Sequence, residues 1–147
     1  MAEEPFILWE DRYAIGIPVV DEQHKELLRL TNTLYEACRQ GDEAARIHFK
    51  EAVHSTVEYV KFHFGAEEKL IERVKYPKIA EHKQEHESFV RQVLEEARAF
   101  ESGKSFVPNA FVRYLRDWIL THIAVSDKEY AEYIFRLKKE GALNTGV

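Results

Sequence analysis

The sequence predicts an all-α protein, an up-down-up-down four-helix bundle with an N-terminal extended arm and a short C-terminal helix. Four long segments repeat apolar residues every three or four positions, which is the period of a helix with one buried face. No segment alternates apolar and polar residues as a half-buried strand would, so four helices packed together best bury these faces. Residues that favour turns separate the segments, at Gly41-Asp42, Tyr76-Pro77 and Ser102-Gly103.

Length and composition predict one soluble domain, residues 1–147. A chain of 147 residues can bury one core, and 45% hydrophobic with 32% charged residues is ordinary for a soluble protein. A net charge of -5 without a basic cluster argues against nucleic acid or an anionic membrane as a partner. No apolar run reaches the roughly 20 residues of a membrane span. Because Cys38 is the single cysteine and the N-terminus is acidic, we expect a cytoplasmic protein.

The sequence pattern of residues 1–20 predicts the extended N-terminal arm, and the first helix is predicted to follow it. Aromatic residues, Gly16 and Pro18 occur here without a sustained helical period, so we expect an extended segment whose rings cover one end of the core. Asp21 is a plausible N-cap for a helix that reaches about residue 40. The apolar stripe of this helix includes one ionisable side chain, that of His24.

The second helix is predicted from about Glu43 to Val74, and the third from Ile79 to about residue 101. Pro77 separates them, since the residue before a proline is biased away from helical geometry. Each helix carries two potential metal ligands on its inward face. Both pairs have the i, i+4 spacing that places side chains together: His63 with Glu67, and His82 with His86.

The fourth helix is predicted to begin after the linker that ends at about Pro108, and His122 lies on its apolar stripe. Asp127 is five residues further on, about 140° around an ideal helix. The two side chains can therefore share a site only at a helix end, a kink or a local bulge. The bundle would span residues from about 21 to 127. A C-terminal helical tail, 128–147, would continue or restart the fourth helix.

Seven potential metal ligands fall on the inward stripes or just beyond them. Taken singly, each histidine is better explained as a satisfied core or boundary residue. Burying such groups without partners costs several kcal/mol, so finding seven of them in one core indicates a metal site. The seven are His24, His63, Glu67, His82, His86, His122 and Asp127.

This ligand set is too large for one ion but suits two. If both carboxylates bridge, the five imidazoles divide as three and two. A bridging oxide or hydroxide then completes six ligands around one ion and five around the other, which keeps an open position. Coordination rich in nitrogen and oxygen favours iron over zinc, which prefers four ligands.

Four motifs carry a resemblance to a known family: WEDRYAIGIPVVDEQHKELL, HFGAEE, HKQEH and WILTHIAVSD, in this order. The chain resembles the hemerythrins, most closely the bacterial hemerythrins, from Trp9 to about Tyr133. The resemblance implies reversible dioxygen binding at a non-haem di-iron centre. It implies two iron ions with a bridging oxide or hydroxide, ferrous in the deoxy form and ferric in the oxy and met forms.

The resemblance also implies a role for each ligand. His82, His86 and His122 would hold the six-coordinate iron. His24 and His63 would hold the five-coordinate iron, where dioxygen binds, and Glu67 and Asp127 would bridge the two. Around the open position we expect a dry oxygen pocket lined by Leu27, Phe64, Trp118 and Ile119.

We expect an oxygen carrier, storage or delivery protein, not an enzyme. Five imidazoles outnumber two carboxylates here, whereas oxygen-activating bundle enzymes use four Glu and two His. Two alternatives stay open: an oxygen or redox sensor module, and a di-iron peroxide or nitric oxide reductase. Dioxygen is the expected ligand, with a monomeric chain and an oxygen-consuming enzyme as the candidate partner.

Three further side chains of the metal-binding type are interpreted differently. His48 lies off the apolar stripe of its helix and His54 lies at the margin, so both are expected to be solvated or boundary residues. Glu68 points about 100° away from Glu67 and is expected either directly behind the ligands or at the surface, outside the ligand set.

Overall fold

The four-helix bundle is confirmed by the computed structural model, which describes residues 6–39, 43–102 and 108–141. Within these ranges the chain is helical and contains no strand. The first helix packs against the second and the fourth, and the second also packs against the third. The helices are α1 (Pro18–Arg39), α2 (Glu43–Arg73), α3 (Ile79–Glu101), α4 (Pro108–His122) and α5 (Lys128–Lys139).

Helix α1 begins at Pro18, so the predicted N-cap role of Asp21 is wrong. Proline suits the first helical position, because its φ is already helical and its missing N–H would have no partner there. Asp21 instead reaches back, and its carboxylate accepts hydrogen bonds from the backbone N–H groups of Ile15 (2.8 Å) and Gly16 (3.2 Å). The carbonyl of Ile17 accepts the first helical bond, from the N–H of Asp21 at 2.9 Å.

The N-terminal segment lies along the bundle and includes a 3-10 turn at Asp11–Tyr13. Asn32 of α1 fixes it, since its side-chain amide exchanges two hydrogen bonds of 2.7 Å with the backbone of Ile7. Gly16 adopts a φ of +90°, and a Cβ atom there would lie 2.9 Å from the ring of Phe135 on α5. Glycine is therefore required where this segment crosses α5.

Helix α2 ends in a turn that reverses the chain towards α3. Lys75 is left-handed, with a φ of +56°. The N–H of Tyr76 donates to the carbonyl of Ile71 and the N–H of Lys75 to that of Glu72, both at 3.0 Å. This is a Schellman motif, and Pro77 directly beyond it cannot continue the helix. The reversal brings the inward face of α3 opposite that of α2.

Helix α4 passes into α5 through a π-helical turn, Ile123–Asp127. The N–H of Lys128 donates to the carbonyl of Ile123, which is the wider spacing of a π bulge. This turn rotates Asp127 onto the face that carries His122, so the predicted local bulge is confirmed. The C-terminal helix therefore continues α4. Its inward side chains are part of the buried core, namely Tyr130, Ala131 and Ile134.

None of the helices in the described part of the chain combines the length and apolar character of a membrane span.

Candidate metal centre

The bundle brings all seven predicted ligands into one buried cluster. Helix α1 contributes one of them, α2 two, α3 two, α4 one and the π-helical turn one. None of the seven side chains is more than 5% exposed. They are His24, His63, Glu67, His82, His86, His122 and Asp127.

Distances divide the cluster into two overlapping groups. Within each group, one nitrogen or oxygen atom per residue lies within 4.8 Å of all the others. The three-histidine half consists of His82, His86 and His122, and the two-histidine half consists of His24 and His63. Glu67 and Asp127 belong to both groups.

The carboxylate of Glu67 directs one oxygen atom to each half. Its Oε1 lies 2.8 Å from the Nε2 of His82 and 3.1 Å from the Nε2 of His86. Its Oε2 lies 3.2 Å from the Nε2 of His63. The hydroxyl of Tyr130 donates to the same Oε2 at 3.2 Å. The side chain is thus held in an orientation that spans both halves.

The carboxylate of Asp127, at the end of the π-helical turn, also directs one oxygen atom to each half. Its Oδ1 lies 3.1 Å from the Nε2 of His122 and 3.2 Å from that of His82. Its Oδ2 lies 3.0 Å from the Nε2 of His24. Two carboxylates therefore run side by side between the three-histidine half and the two-histidine half.

Several buried atoms of the cluster have close neighbours but no hydrogen bond of suitable angle. They include both ring nitrogens of His24, both oxygens of Asp127 and the Nδ1 of His122. Each buried polar atom left without a partner costs about 1–3 kcal/mol. The Nε2 of His24 lies 3.0 Å from Asp127 Oδ2, and both residues belong to a group whose ligand atoms all lie within 4.8 Å of one another, as the ligands of one cation do. The donor set fits a metal site.

The charges of the cluster are strongly coupled. Burial alone would lower the pKa values of His24 and His82, but Asp127 and Glu67 outweigh it and raise both pKa values to about 9. Burial also opposes the charge on His122, yet the two carboxylates raise its pKa to about 10. Burial and the charge of Glu67 oppose ionisation of Asp127, but His122 and His24 lower its pKa to about 2. A metal ion binding here would displace protons from the imidazoles.

Three ligands are oriented by polar side chains outside the cluster. The Nδ1 of His86 donates to Glu68 Oε2 at 2.8 Å. The Nδ1 of His122 lies 2.8 Å from Glu85 Oε2. In the two-histidine half, the Nδ1 of His63 donates to the amide oxygen of Gln23 at 2.6 Å. Such contacts fix the tautomer and the plane of an imidazole that binds a metal.

Sequence reasoning missed Gln23 and Glu85 as orienting residues and, for Glu68, did not choose between a position behind the ligands and one at the surface. The sequence contains a signal that could have identified these three residues, because each is next in sequence to a predicted ligand. Gln23 precedes His24, Glu68 follows Glu67, and Glu85 precedes His86. Each reaches a ligand on the following helix. Sequence reasoning also missed Tyr130, whose hydroxyl donates to Glu67.

Aromatic rings pack on two ligands of the three-histidine half. Phe64 stacks on His86 with ring centroids 3.7 Å apart and an interplanar angle of 1°. Trp118 stacks on His122 at 4.5 Å and 13°. These rings restrict rotation of the imidazoles and exclude water beside them.

A small cavity adjoins the two-histidine half. Its volume is about 10 Å³, close to the lower limit for one water-sized molecule. Four members of the cluster contribute to its wall, namely His24, His63, His122 and Asp127, and the rest of the wall is apolar. The four residues predicted for an oxygen pocket all line it, namely Leu27, Phe64, Trp118 and Ile119. His48 and His54 are exposed side chains of α2 and lie outside the cluster.

Comparison with known proteins identifies the family. The family described as "Hemerythrin HHE cation binding domain" matches residues 15–134, which include every member of the cluster. The chain belongs to the hemerythrin family. The resemblance of its motifs to the hemerythrins is thereby confirmed, and the buried cluster of His, Glu and Asp suits a non-haem iron centre.

Hemerythrin relatives match most of the chain. A bacteriohemerythrin of Stenotrophomonas maltophilia is 33% identical over 128 residues, which cover 87% of this chain and 81% of the relative. One from Pseudomonas aeruginosa is 34% identical with the same coverage. The crystal structure of wild-type hemerythrin superimposes with a TM-score of 0.81 at 26% identity, covering 86% of this chain and 96% of that one. The fold and the family thus agree.

Proposed function

We propose that the cluster holds two iron ions and binds dioxygen reversibly, so that the protein acts as an oxygen carrier, store or delivery protein. The observation that carries this proposal is the split orientation of Glu67 and Asp127. Each carboxylate directs one oxygen to the three-histidine half and the other to the two-histidine half. Shared carboxylates of this kind suit a pair of ions and would be redundant around one.

The numbers of ligands make the two iron sites unequal. His82, His86 and His122 would hold one ion, His24 and His63 the other, and Glu67 and Asp127 would bridge them. With a bridging oxide or hydroxide, the first ion would have six ligands and the second five. Two ferrous ions held by these residues would supply the pair of electrons that reversible dioxygen binding requires. The open position would then lie in the two-histidine half.

The small cavity supports dioxygen as the ligand at this position. It adjoins His24 and His63, and its walls are formed mainly by apolar side chains such as Leu27 and Ile119. At about 10 Å³ it lies at the lower limit for one water molecule and is far too small for an organic substrate. Apolar walls also exclude the water and protons that would promote loss of reduced oxygen from the centre. Carriage therefore suits this cavity better than turnover of a second substrate.

Gas cycling of the iron-loaded protein tests the proposal. Metal-free chain is reconstituted anaerobically with ferrous iron, assayed for metal content and exposed alternately to air and to argon while its visible spectrum is recorded. We expect two irons per chain and an absorption band that appears in air and disappears under argon over several cycles. Irreversible oxidation in the first exposure would contradict reversible carriage and favour a redox sensor. Sustained consumption of peroxide or nitric oxide with a reductant would favour an enzyme.

A further inference from the structure

A groove between α1 and α2 opens to the surface beside the buried cluster. Its volume is about 350 Å³, and its lining includes Glu67 and also Gln23, the partner of His63. Lys69 and Arg73 of α2 line it as well, and we name it the basic groove after them. The basic groove and the small inner cavity have no lining residue in common. It is therefore a separate feature of the surface that lies next to the centre.

The basic groove is locally positive on a chain whose net charge is -5. Lys69 and Arg73 are exposed, and neither forms an ion pair with a residue in the described part of the chain. Glu67, the carboxylate that lines the groove, is buried and contacts histidines instead. The first two glutamates of α1 are already paired, Glu22 with Lys25 at 3.1 Å and Glu26 with Arg29 at 2.8 Å. Two positive charges are thus left without a counter-ion at the groove.

Exposed apolar side chains adjoin these charges. Val19 of α1 lines the groove and is 62% exposed, and Phe62 of α2 is 59% exposed. Phe62 precedes Ala66, another lining residue, by four positions and so lies on the same face of α2. Lys69 and Arg73 continue this face towards the end of the helix. Large apolar side chains that remain exposed beside polar ones mark sites of protein interaction.

The shape of the basic groove suits a helix. Helices α1 and α2 form its two walls, and the face of α2 from Phe62 to Arg73 extends for about 16 Å, or three helical turns. A third helix packs between two neighbouring helices when its apolar residues recur every three or four positions. The described residues contain no strand, so they offer no sheet edge to an extended peptide. Charge and shape together favour an acidic amphipathic helix.

We propose that the basic groove is the docking site for an acidic amphipathic helix of a partner protein. Carboxylates of that helix pair with Lys69 and Arg73, and its apolar residues cover Val19 and Phe62. The chain as a whole repels an acidic partner, because its net charge is -5, so attraction at the groove also fixes the orientation of the complex. The docking site rests on the groove and not on the metal. Only its consequence, a partner placed beside the oxygen-binding half of the centre, rests on the proposed function.

Fluorescence anisotropy with synthetic peptides tests the docking site. The labelled peptides are lactam-bridged helices of about 15 residues, long enough to cover the groove, with leucines every three or four positions in several registers and glutamates beside them. We expect the iron-loaded full-length chain to bind at least one of these peptides and none in which lysine replaces glutamate. Lys69→Glu combined with Arg73→Glu should weaken binding at least about tenfold. The difference should shrink at high salt, which screens exposed charges.

Matched variants elsewhere on α2 separate local attraction from total charge. Lys50→Glu combined with Lys61→Glu changes the net charge by the same amount, but these exposed lysines do not line the basic groove. We expect this control to weaken binding by less than about twofold. Phe62→Ser should weaken binding about fivefold, whereas Ile47→Ser, at an apolar position of α2 that is 55% exposed, should not. All variants should keep the iron content and the helical circular dichroism of the unmodified chain.

Three results would overturn the docking site. The first is that no acidic peptide binds, or that charge reversal at Lys69 and Arg73 weakens binding no more than reversal at Lys50 and Lys61. The second is binding to phosphatidylglycerol vesicles that reversal at the groove abolishes, because it would assign the groove to a membrane surface. The third is self-association in sedimentation velocity that the same reversal abolishes, which would assign the groove to a second copy of the chain. None of these results alters iron content or gas cycling, so the proposed function is tested separately.

Discussion

The two halves of the cluster differ in their surroundings. In the three-histidine half, carboxylates contact the Nδ1 atoms of His86 and His122, and aromatic rings stack on both imidazoles. In the two-histidine half, the partner of the His63 Nδ1 atom is the neutral amide of Gln23, and the Nδ1 atom of His24 has no hydrogen bond. The inner cavity is lined by both histidines of this second half, His24 and His63, and by one histidine of the first, His122.

This difference suggests a division of labour within one centre. A carboxylate partner raises the basicity of an imidazole and fixes its orientation, which strengthens metal binding. A neutral partner and adjacent free space leave a metal accessible to a small ligand. We infer that the three-histidine half retains its ion and that the two-histidine half presents its ion to dioxygen.

The largest expected effect on iron binding comes from changing a carboxylate that both halves share. Glu67→Gln replaces one bridging oxygen with an amide nitrogen that cannot bind a cation, so both halves lose affinity. We expect the variant to bind fewer than two irons per chain and to show no oxygen-dependent band. Metal analysis after gel filtration measures this. Glu68→Gln, the same change at the adjacent position, should still load two irons when iron is in excess, and an equal loss in both variants would contradict a bridging role.

A smaller effect is expected from the orienting carboxylate of the three-histidine half. Glu68→Gln weakens the contact that holds His86, and loss of such outer partners costs about 10–100-fold in metal affinity. Competition with a chelator of known affinity measures the change. Glu72→Gln, an exposed charge one turn further along α2, is the control and should bind iron like the unmodified chain.

The wall of the inner cavity should control oxidation without controlling iron content. Ile119→Ala enlarges the cavity and admits water, so we expect faster autoxidation of the oxygenated protein, followed by the decay of its visible band. Leu115→Ala removes a similar buried side chain one turn earlier on α4, away from the cavity. Both variants lose about 2–5 kcal/mol of stability. Equal autoxidation rates would show that the cavity wall does not protect the centre.

The smallest effect is expected outside both halves. His48→Ala and His54→Ala alter exposed histidines on α2 and should leave the iron content unchanged. Thermal unfolding should shift by no more than the equivalent of about 0.5 kcal/mol. Loss of iron in either variant would show that the ligand set is incomplete.

Helical periodicity accounts for most of what the sequence predicted about the fold. Proline and glycine breaks placed the start of α3 at Ile79 and the end of α2 within one residue of Arg73. The start of α1 was misplaced because Asp21 has the chemistry of an N-cap, while its carboxylate binds the preceding loop instead. The choice between these two roles depends on the path of the chain before the helix.

Spacing along each helix also predicted the members of the cluster, but not their outer partners. Pairs spaced i, i+4 must share a face. The five-residue step from His122 to Asp127 required a helix end, a kink or a bulge, and the π-helical turn provides the bulge. Gln23, Glu85 and Tyr130 become partners only through the rotation and separation of neighbouring helices. Hydrophobic periodicity carries no information about those quantities.

Mössbauer spectroscopy of protein loaded with ⁵⁷Fe tests the inequality of the two halves most directly. Three imidazoles on one iron and two on the other create different electric field gradients, so the oxygenated protein should give two quadrupole doublets of equal area. Metal analysis of the same sample should give two irons per chain. A single doublet at two irons per chain would mean that the sites are equivalent, and one iron per chain would contradict the shared-carboxylate centre itself.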